Sequence, residues 1–324
     1  MSCESPSESQ PQRHEDTKTG YEQPLAPWCV GGDGISSCTT GVTGANGYVG
    51  SRVRDHLSRQ GCTVYSLVRR SAVAQPHPDS VIPFSLDEGV DPARLRGIDV
   101  LVHCAYDFRA TRWRDIYHTN VTGSLRLVGA AREAGVKRIV LISTMSAFEG
   151  CASMYGRAKL EIERAAQGSD VAIVRPGLIY GQGAAGMVGA LDRFVRVSRI
   201  APIFGGGKQK LYLAHQDDLA KLVYALSCVE KPPQEPVVAA CEDGMTFREI
   251  LSTLALRQGK KLLFVPAPWR AAWLVLRAAE AAGIRLRLRS DSLISLLNQN
   301  QRPDFGATRR AGVQFRDFRA WSGE

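Results

Sequence analysis

The chain has 324 residues, 44% of them hydrophobic and 23% charged. At ~150 residues per domain this length holds about two folding units, and the apolar content suffices for a sizeable core, which excludes a fully disordered or collagenous chain. The formal net charge is +9; residues 1–34 carry a net −4, so the remaining body carries +13 and favours anionic ligands or surfaces, whether phosphorylated substrates, nucleic acid or acidic lipid.

Eight cysteines stand at 3, 29, 38, 62, 104, 151, 228 and 241, without C-x-x-C spacing and without a nearby histidine set. They read as reduced thiols, several of them buried, rather than a disulfide framework or a metal site, and no metal is expected. No apolar stretch approaches the ~18 residues of a membrane span. The opening residues Met1-Ser2-Cys3-Glu4 form no basic-then-apolar leader, so a cytoplasmic protein is the expectation. Residues 1–34, rich in Ser, Glu, Pro, Gln and Gly, have little to bury and read as a disordered tail.

From Thr39 onward, strand-like runs alternate with helical stretches. The predicted elements are Thr39–Thr43, Tyr48–Gln60, Thr63–Val68, Asp99–Cys104, Asn120–Ala134, Arg138–Ser143, Tyr155–Ala166 and Val171–Arg175. This order predicts an α/β fold, a doubly wound parallel sheet with helices on both faces. The approach to the first strand, Ser36-Ser37-Cys38-Thr39-Thr40, is unusually polar. Glycines then cluster at 177, 181, 183, 186, 189 and 205–207, ahead of a strand-like Gln209–Ala214, and Lys231-Pro232-Pro233 reads as a loop boundary. The expected organisation is the tail, a dinucleotide-binding domain over 35–230 whose residues 176–206 contribute to a substrate lobe, and a small C-terminal α/β substrate lobe over 231–324.

Four glycines recur at spacing three in Gly41-Val42-Thr43-Gly44-Ala45-Asn46-Gly47-Tyr48-Val49-Gly50, so two frames are open. Val49, Val53 and Leu57 recur every four residues, which starts the helix near Tyr48 and selects Gly44, Gly47 and Gly50. In such a strand–loop–helix the first glycine turns the chain, the second lets backbone amides approach a pyrophosphate, and the third allows close packing of helix on strand. The next strand ends at Arg69-Arg70, where an acid would suit a ribose 2′-hydroxyl and arginine a 2′-phosphate; Arg69 tilts the expected cofactor from NAD toward NADP.

Tyr155 and Lys159 lie four apart on a predicted helix, hence on one face and ~6 Å apart along its axis. An ammonium there can stabilise a phenolate and bring a proton-transfer group toward neutral pH. Alone the spacing is common; joined to the glycine loop it carries chemistry.

Together with Asp99 to Ala105, Asn120-Val121-Thr122-Gly123, Ser143-Thr144, Arg175 to Gly181 and His215 to Ala220, these motifs make the chain resemble the extended branch of the short-chain dehydrogenase/reductase superfamily, the NAD-dependent epimerase/dehydratase type, from about Thr39 to Phe318. The resemblance implies a Rossmann fold and catalytic roles for Tyr155 as acid/base, Lys159 as its partner and ribose ligand, Thr144 as the hydroxyl that orients the substrate oxygen (with Ser143 and Ser146 as rivals), and Asn120. It implies cofactor contacts at Gly44, Asn46, Gly47, Tyr48, Val49, Gly50, Arg69, Ser85, Leu86, Cys104, Ala105, Tyr106, Lys159, Pro176 and Gly177. Phe84-Ser85-Leu86 stands where the family often has Gly-Asp-Leu. Family members often dimerise through helices equivalent to Asn120–Ala134 and Tyr155–Ala166, which makes a homodimer plausible.

The implied activity is NAD(P)-dependent redox or epimerase chemistry at a carbinol or carbonyl carbon of a small molecule. The basic lobe favours a nucleotide-sugar, ranked first. The interval of eleven residues from Thr144 to Tyr155 lacks the longer loop of sugar-nucleotide members and favours a smaller or lipid-like ketone or alcohol. A non-catalytic dinucleotide sensor or RNA-binding protein is the competing class, but no basic run is interleaved with aromatics, so no nucleic-acid partner is expected. Trp269, Trp273 and Leu276 keep helical spacing beside Arg270 and Arg277. Such a helix can lie peripherally on a membrane or, more commonly, cover a core, and Arg285, Arg287 and Arg289 could instead clamp a diphosphate. Asp217 or Asp218 is expected to cap a helix N-terminus.

Overall fold

The computed structural model describes residues 38–69, 80–183, 185–284, 289–300 and 302–323; the expected tail, Arg70, Arg285 and Arg287 lie outside them. In chain order the first half runs β1 (Thr39–Thr43), α1 (Tyr48–Arg59), β2 (Thr63–Val68), β3 (Val81–Pro83), β4 (Val100–His103), α2 (Trp113–Ile116), a π-helical turn (Tyr117–Thr122), α3 (Gly123–Glu133), β5 (Arg138–Ile142), α4 (Met154–Ala166) and β6 (Val171–Pro176). The second half runs β7 (Leu178–Tyr180), α5 (Gly186–Val197), β8 (Ile200–Ile203), β9 (Lys210–Leu211), β10 (Leu213–His215), α6 (Gln216–Cys228), β11 (Val237–Ala239), β12 (Met245–Thr246), α7 (Phe247–Arg257), β13 (Leu263–Pro266), α8 (Trp269–Ala281), α9 (Ser290–Leu297) and α10 (Gly306–Arg310).

Uninterrupted apolar strands such as Val100-Leu101-Val102 demand burial on both sides, because successive side chains point to opposite faces. The structure meets that demand. Seven strands pair in the order β11-β6-β5-β4-β1-β2-β3, each neighbouring pair parallel. Val42, Val100, Val102, Val140 and Val174 meet Val53 and Leu57 of α1 and Leu222 and Leu226 of α6. Their alternates Leu67, Leu101, Ile139, Leu141 and Ile173 meet Leu127 of α3 and Ile162 of α4. The predicted doubly wound α/β sheet is therefore the fold. A third cluster gathers Tyr180, Val195, Leu211, Ile250 and Leu254 from β7, α5, β9 and α7.

Several local expectations change. The strand-like Gln209–Ala214 splits at Tyr212 into β9, antiparallel to β12, and β10, parallel to β7. Beyond the boundary expected at 231, β11 returns to pair with β6, so the main sheet draws its edge strand from the far side of that boundary. The cap of α6 is His215, whose Nδ1 accepts the Asp217 amide at 3.3 Å. Asp218 instead turns inward and grips the Arg316 guanidinium at 2.8 and 2.9 Å. Helix α8 fully buries none of its thirteen residues, only half-burying Ala272, Trp273, Leu276, Ala279 and Glu280 on one face. No helix among the described residues is long and apolar enough to cross a membrane.

Leu141 is fully buried at the centre of the sheet. Leu141→Ala should lower unfolding free energy by about 2–5 kcal/mol, read as a shift in the urea midpoint at unchanged m-value.

Candidate active site

The strand order reverses between β1 and β4, and the carboxyl ends of these two strands open the crevice where parallel sheets bind ligands. Gly44 leaves β1 at φ +64°, a left-handed conformation that glycine adopts without strain, and its carbonyl accepts the Gly47 amide at 2.8 Å. A Cβ at Gly50 would stand 2.7 Å from the Gly44 carbonyl carbon and closer still to its oxygen, so the first turn of α1 rests directly on that turn. Gly41 lies inside β1, packed against Ile98 and Leu67, which leaves Gly44, Gly47 and Gly50 as the glycines of the loop and of the first turn of α1. Gly47 is the N-cap of α1 and offers no side-chain acceptor, and the first turn carries no acid. Asn46 is exposed at the tip of the loop. The Tyr48 phenol is buried without a hydrogen-bond partner among the described residues. An uncapped helix N-terminus in this crevice fits the pyrophosphate of a dinucleotide, approached by the amides of Asn46, Tyr48 and Val49, the Gly47 amide being taken by the Gly44 carbonyl.

Across the crevice, the Thr43 hydroxyl accepts the amides of Cys104 and Ala105, both at 3.1 Å. With its lone pairs so engaged it donates to His103 Nδ1 at 2.7 Å, which fixes Nε2 as the protonated nitrogen, donating to Ser124 at 2.8 Å. Burial holds His103 neutral, its pKa drawn down to about 3 with the Lys159 charge adding to the effect. Burial likewise pushes the Cys104 thiol up to about 12, so it is no nucleophile at neutral pH.

Arg69 is exposed immediately after Val68, the last residue of β2, the strand beside β1. Ser85 accepts the Glu88 amide on its hydroxyl at 3.1 Å, and Leu86 is buried with its carbonyl taken by Arg126 at 2.9 Å. On the other flank Pro176 accepts the Met145 amide at 3.0 Å and Gly177 donates to Ala239 at 3.1 Å, which ties this segment to Thr144 and to β11.

Tyr155 and Lys159 share one face of α4, and Lys159 is buried. Its ammonium donates to the Ile142 carbonyl at 2.7 Å and stands 5.1 Å from the Tyr106 ring centre. Burial draws the Lys159 pKa down to about 8, against the pull of Cys104 and Glu163. Burial also pushes the Tyr155 phenol up to about 12, partly offset by its side-chain hydrogen bond with Thr144. The expected depression of the tyrosine by the lysine is thus overridden: desolvation dominates, and the ammonium is engaged elsewhere. Of the candidate hydroxyls, Ser143 donates to buried Glu163, which also binds Arg175 at 2.5 and 3.0 Å, and Thr144 accepts the Ser146 amide at 3.2 Å.

Asn120 sits in the π-helical turn and is fully buried. Its amide accepts the Asp107 backbone N–H at 2.7 Å and donates to the Asp107 carbonyl at 3.0 Å, so it clamps the loop bearing Tyr106 and Phe108 rather than facing the crevice. The Tyr106 and Phe108 ring centres stand 4.9 and 5.5 Å from that of Tyr155. Two residues at the start of α9, its N-cap Arg289 and Asp291 in its first turn, hold this region. Asp291 accepts the amides of Met154 and Tyr155 at 2.7 and 3.0 Å. Arg289 donates to the carbonyls of Phe108 and Ala110 at 2.5 and 3.1 Å, which takes it from the expected diphosphate clamp. Their signal is spatial, more than 130 positions away in sequence; only Glu163, one turn past Lys159, was within reach of helical spacing. The described residues contain no group of three His, Cys, Asp or Glu placed to hold a metal ion.

Two measurements check this arrangement. His103 binds fewer protons folded than unfolded between pH 6.5 and about 3, so its contribution is present above 6.5 and lost as pH falls. The stability advantage of wild type over His103→Gln should therefore narrow toward acid, by at most ~1.4 kcal/mol per pH unit in urea titrations. Asp291→Ala should leave two amides of α4 uncapped, cost ~1–2 kcal/mol and accelerate hydrogen exchange at Met154 and Tyr155.

The chain is 31% identical over 234 residues to the uncharacterized protein y4nG of Sinorhizobium fredii, an alignment covering 66% of this chain but only 59% of that relative. It is 29% identical over 241 residues to a ceramide reductase of Caulobacter vibrioides, covering 70% and 73% of the two chains. The solved structure of MoeE5 with UDP-glucuronic acid and NAD superposes with a TM-score of 0.64 at 21% identity, over 86% of this chain and 94% of that one, which supports the fold alone. The family model of the NAD dependent epimerase/dehydratase family matches residues 41–239. With more than half of its length so matched, the chain belongs to the NAD dependent epimerase/dehydratase family, within the extended short-chain dehydrogenases/reductases.

Proposed function

We propose that the protein is an NAD(P)-dependent oxidoreductase or epimerase acting at a carbinol or carbonyl carbon, with a nucleotide-sugar as its substrate class. The carrying observation is that Tyr155 and the buried Lys159 share one face of α4, with the Lys159 ammonium held on the β5 carbonyl of Ile142 two residues before Thr144. A nicotinamide dinucleotide, when bound, supplies the hydride donor or acceptor. Tyr155 moves the proton. With its pKa raised it is a phenol at neutral pH, suited to protonating the alkoxide that forms as a carbonyl is reduced. Thr144 donates to the same oxygen and orients it. Lys159, whose ammonium is held on the Ile142 carbonyl, would bind the nicotinamide ribose. Asn120 acts as a positioning residue through the Tyr106–Phe108 loop. Arg69, exposed at the end of β2, supports NADP over NAD.

Family membership and the +13 charge of the body support the nucleotide-sugar. In this reading the cluster around Tyr180 and Ile250, with the C-terminal helices, forms the substrate lobe. A second reading, an apolar ketone or alcohol, is supported by the aromatic wall of Tyr106 and Phe108 beside Tyr155 and by the similarity to a ceramide reductase.

Tyr155→Phe tests the reaction class: turnover should fall by roughly 100-fold or more, with NADPH affinity retained. Undiminished turnover would remove the acid/base role. A panel of nucleotide-sugars and hydrophobic ketones, followed by pyridine absorbance and product analysis, separates the two substrate readings.

A further inference from the structure

We infer that helix α8 docks the protein onto an anionic lipid surface. The helix is thirteen residues long and fully buries none of them. Its outward residues Ala271, Leu274, Val275 and Ala278 recur at helical spacing and form an apolar stripe in water, with Leu274 61% and Val275 66% exposed. The opposite side, with half-buried Trp273 and Leu276, carries the contact with α9. A soluble helix normally does the reverse, presenting charge outward and burying its apolar stripe.

The strand that leads into α8 carries exposed apolar residues of its own, and basic residues stand beside both. Strand β13 leads into α8 through Ala267 and Pro268, and its Leu263, 63% exposed, pairs in register with Ile200 of β8, 54% exposed. Exposed basic residues rim this surface: Arg199, whose carbonyl accepts the Leu263 amide, then Lys261, Arg270 and Arg277. The Arg270 and Arg277 guanidinium groups stand 5.6 and 5.9 Å from the rings of Trp269 and Trp273. Tryptophan, an apolar stripe and a basic rim match the layering of a bilayer interface with acidic headgroups. A second copy of the chain fits less well, because a two-fold contact would bring like-charged rims together.

The helix is also joined to the catalytic region. Glu280, near its end, accepts the Ser290 amide and hydroxyl, both at 2.8 Å, and the next residue is Asp291, which holds the Tyr155 amide. Docking at α8 therefore sits two carboxylates away from the Tyr155 backbone. The inference stands on the surface itself and is independent of the reaction.

The test is co-sedimentation of the full chain with vesicles of phosphatidylcholine alone or with phosphatidylglycerol, at low and high salt. Binding is expected to the phosphatidylglycerol vesicles, weaker in salt. Leu274→Glu/Val275→Glu should reduce it by roughly tenfold or more, as should Arg270→Glu/Arg277→Glu, with circular dichroism confirming the fold of each. Absence of wild-type binding, or binding indifferent to both variants, would overturn the inference. So would a concentration-dependent dimer that the Leu274→Glu/Val275→Glu variant splits while vesicles stay unbound, since a second copy would then be the occupant.

Discussion

Helix α1 lies against the Gly44 turn because Gly50 has no side chain. Any Cβ there would meet the Gly44 carbonyl, lift the first turn of the helix and withdraw its amides from the crevice. Once α1 is seated, Val53 and Leu57 reach the sheet, and the carboxyl end of β1 is fixed against β4. Thr43 completes the joint by capping the amides of Cys104 and Ala105 and by setting the His103 tautomer. A helix terminus without an acid, on one side, and a buried neutral histidine, on the other, leave this crevice electrostatically receptive to phosphate.

The region around Tyr155 and Lys159 is held from two sides. Lys159 is anchored to β5 through the Ile142 carbonyl, while Glu163, one turn further, binds Ser143 and Arg175 and so fixes α4 against β5 and β6. From the other side Asp291 caps α4 at Tyr155 and Arg289 grips the loop that carries Phe108. Arg289 and Asp291 thus hold the aromatic wall beside Tyr155.

Much of the fold is legible in the sequence because local signals and global packing agree. The four-residue recurrence of Val49, Val53 and Leu57 chose the glycine frame, and continuous runs such as Ile139–Ile142 announced a sheet covered on both faces. What depends on contacts distant in sequence is not legible. Asp218 reads as a helix cap until Arg316, 98 positions later, is seen to bind it. The grip of the Asn120 amide on the Asp107 backbone, 13 positions away, is likewise invisible in the motif. The electrostatics also escape: spacing alone lets Lys159 lower the Tyr155 pKa, whereas desolvation, a property of the folded surroundings, raises it.

The most direct measurement is calorimetric titration of the nucleotide-stripped protein with NADPH and NADH side by side, repeated on Arg69→Ala. The account predicts binding of both, tighter for NADPH, with that preference lost in the variant. Failure of either nucleotide to bind would contradict the assignment of the Gly44–Gly50 crevice and the chemistry built upon it.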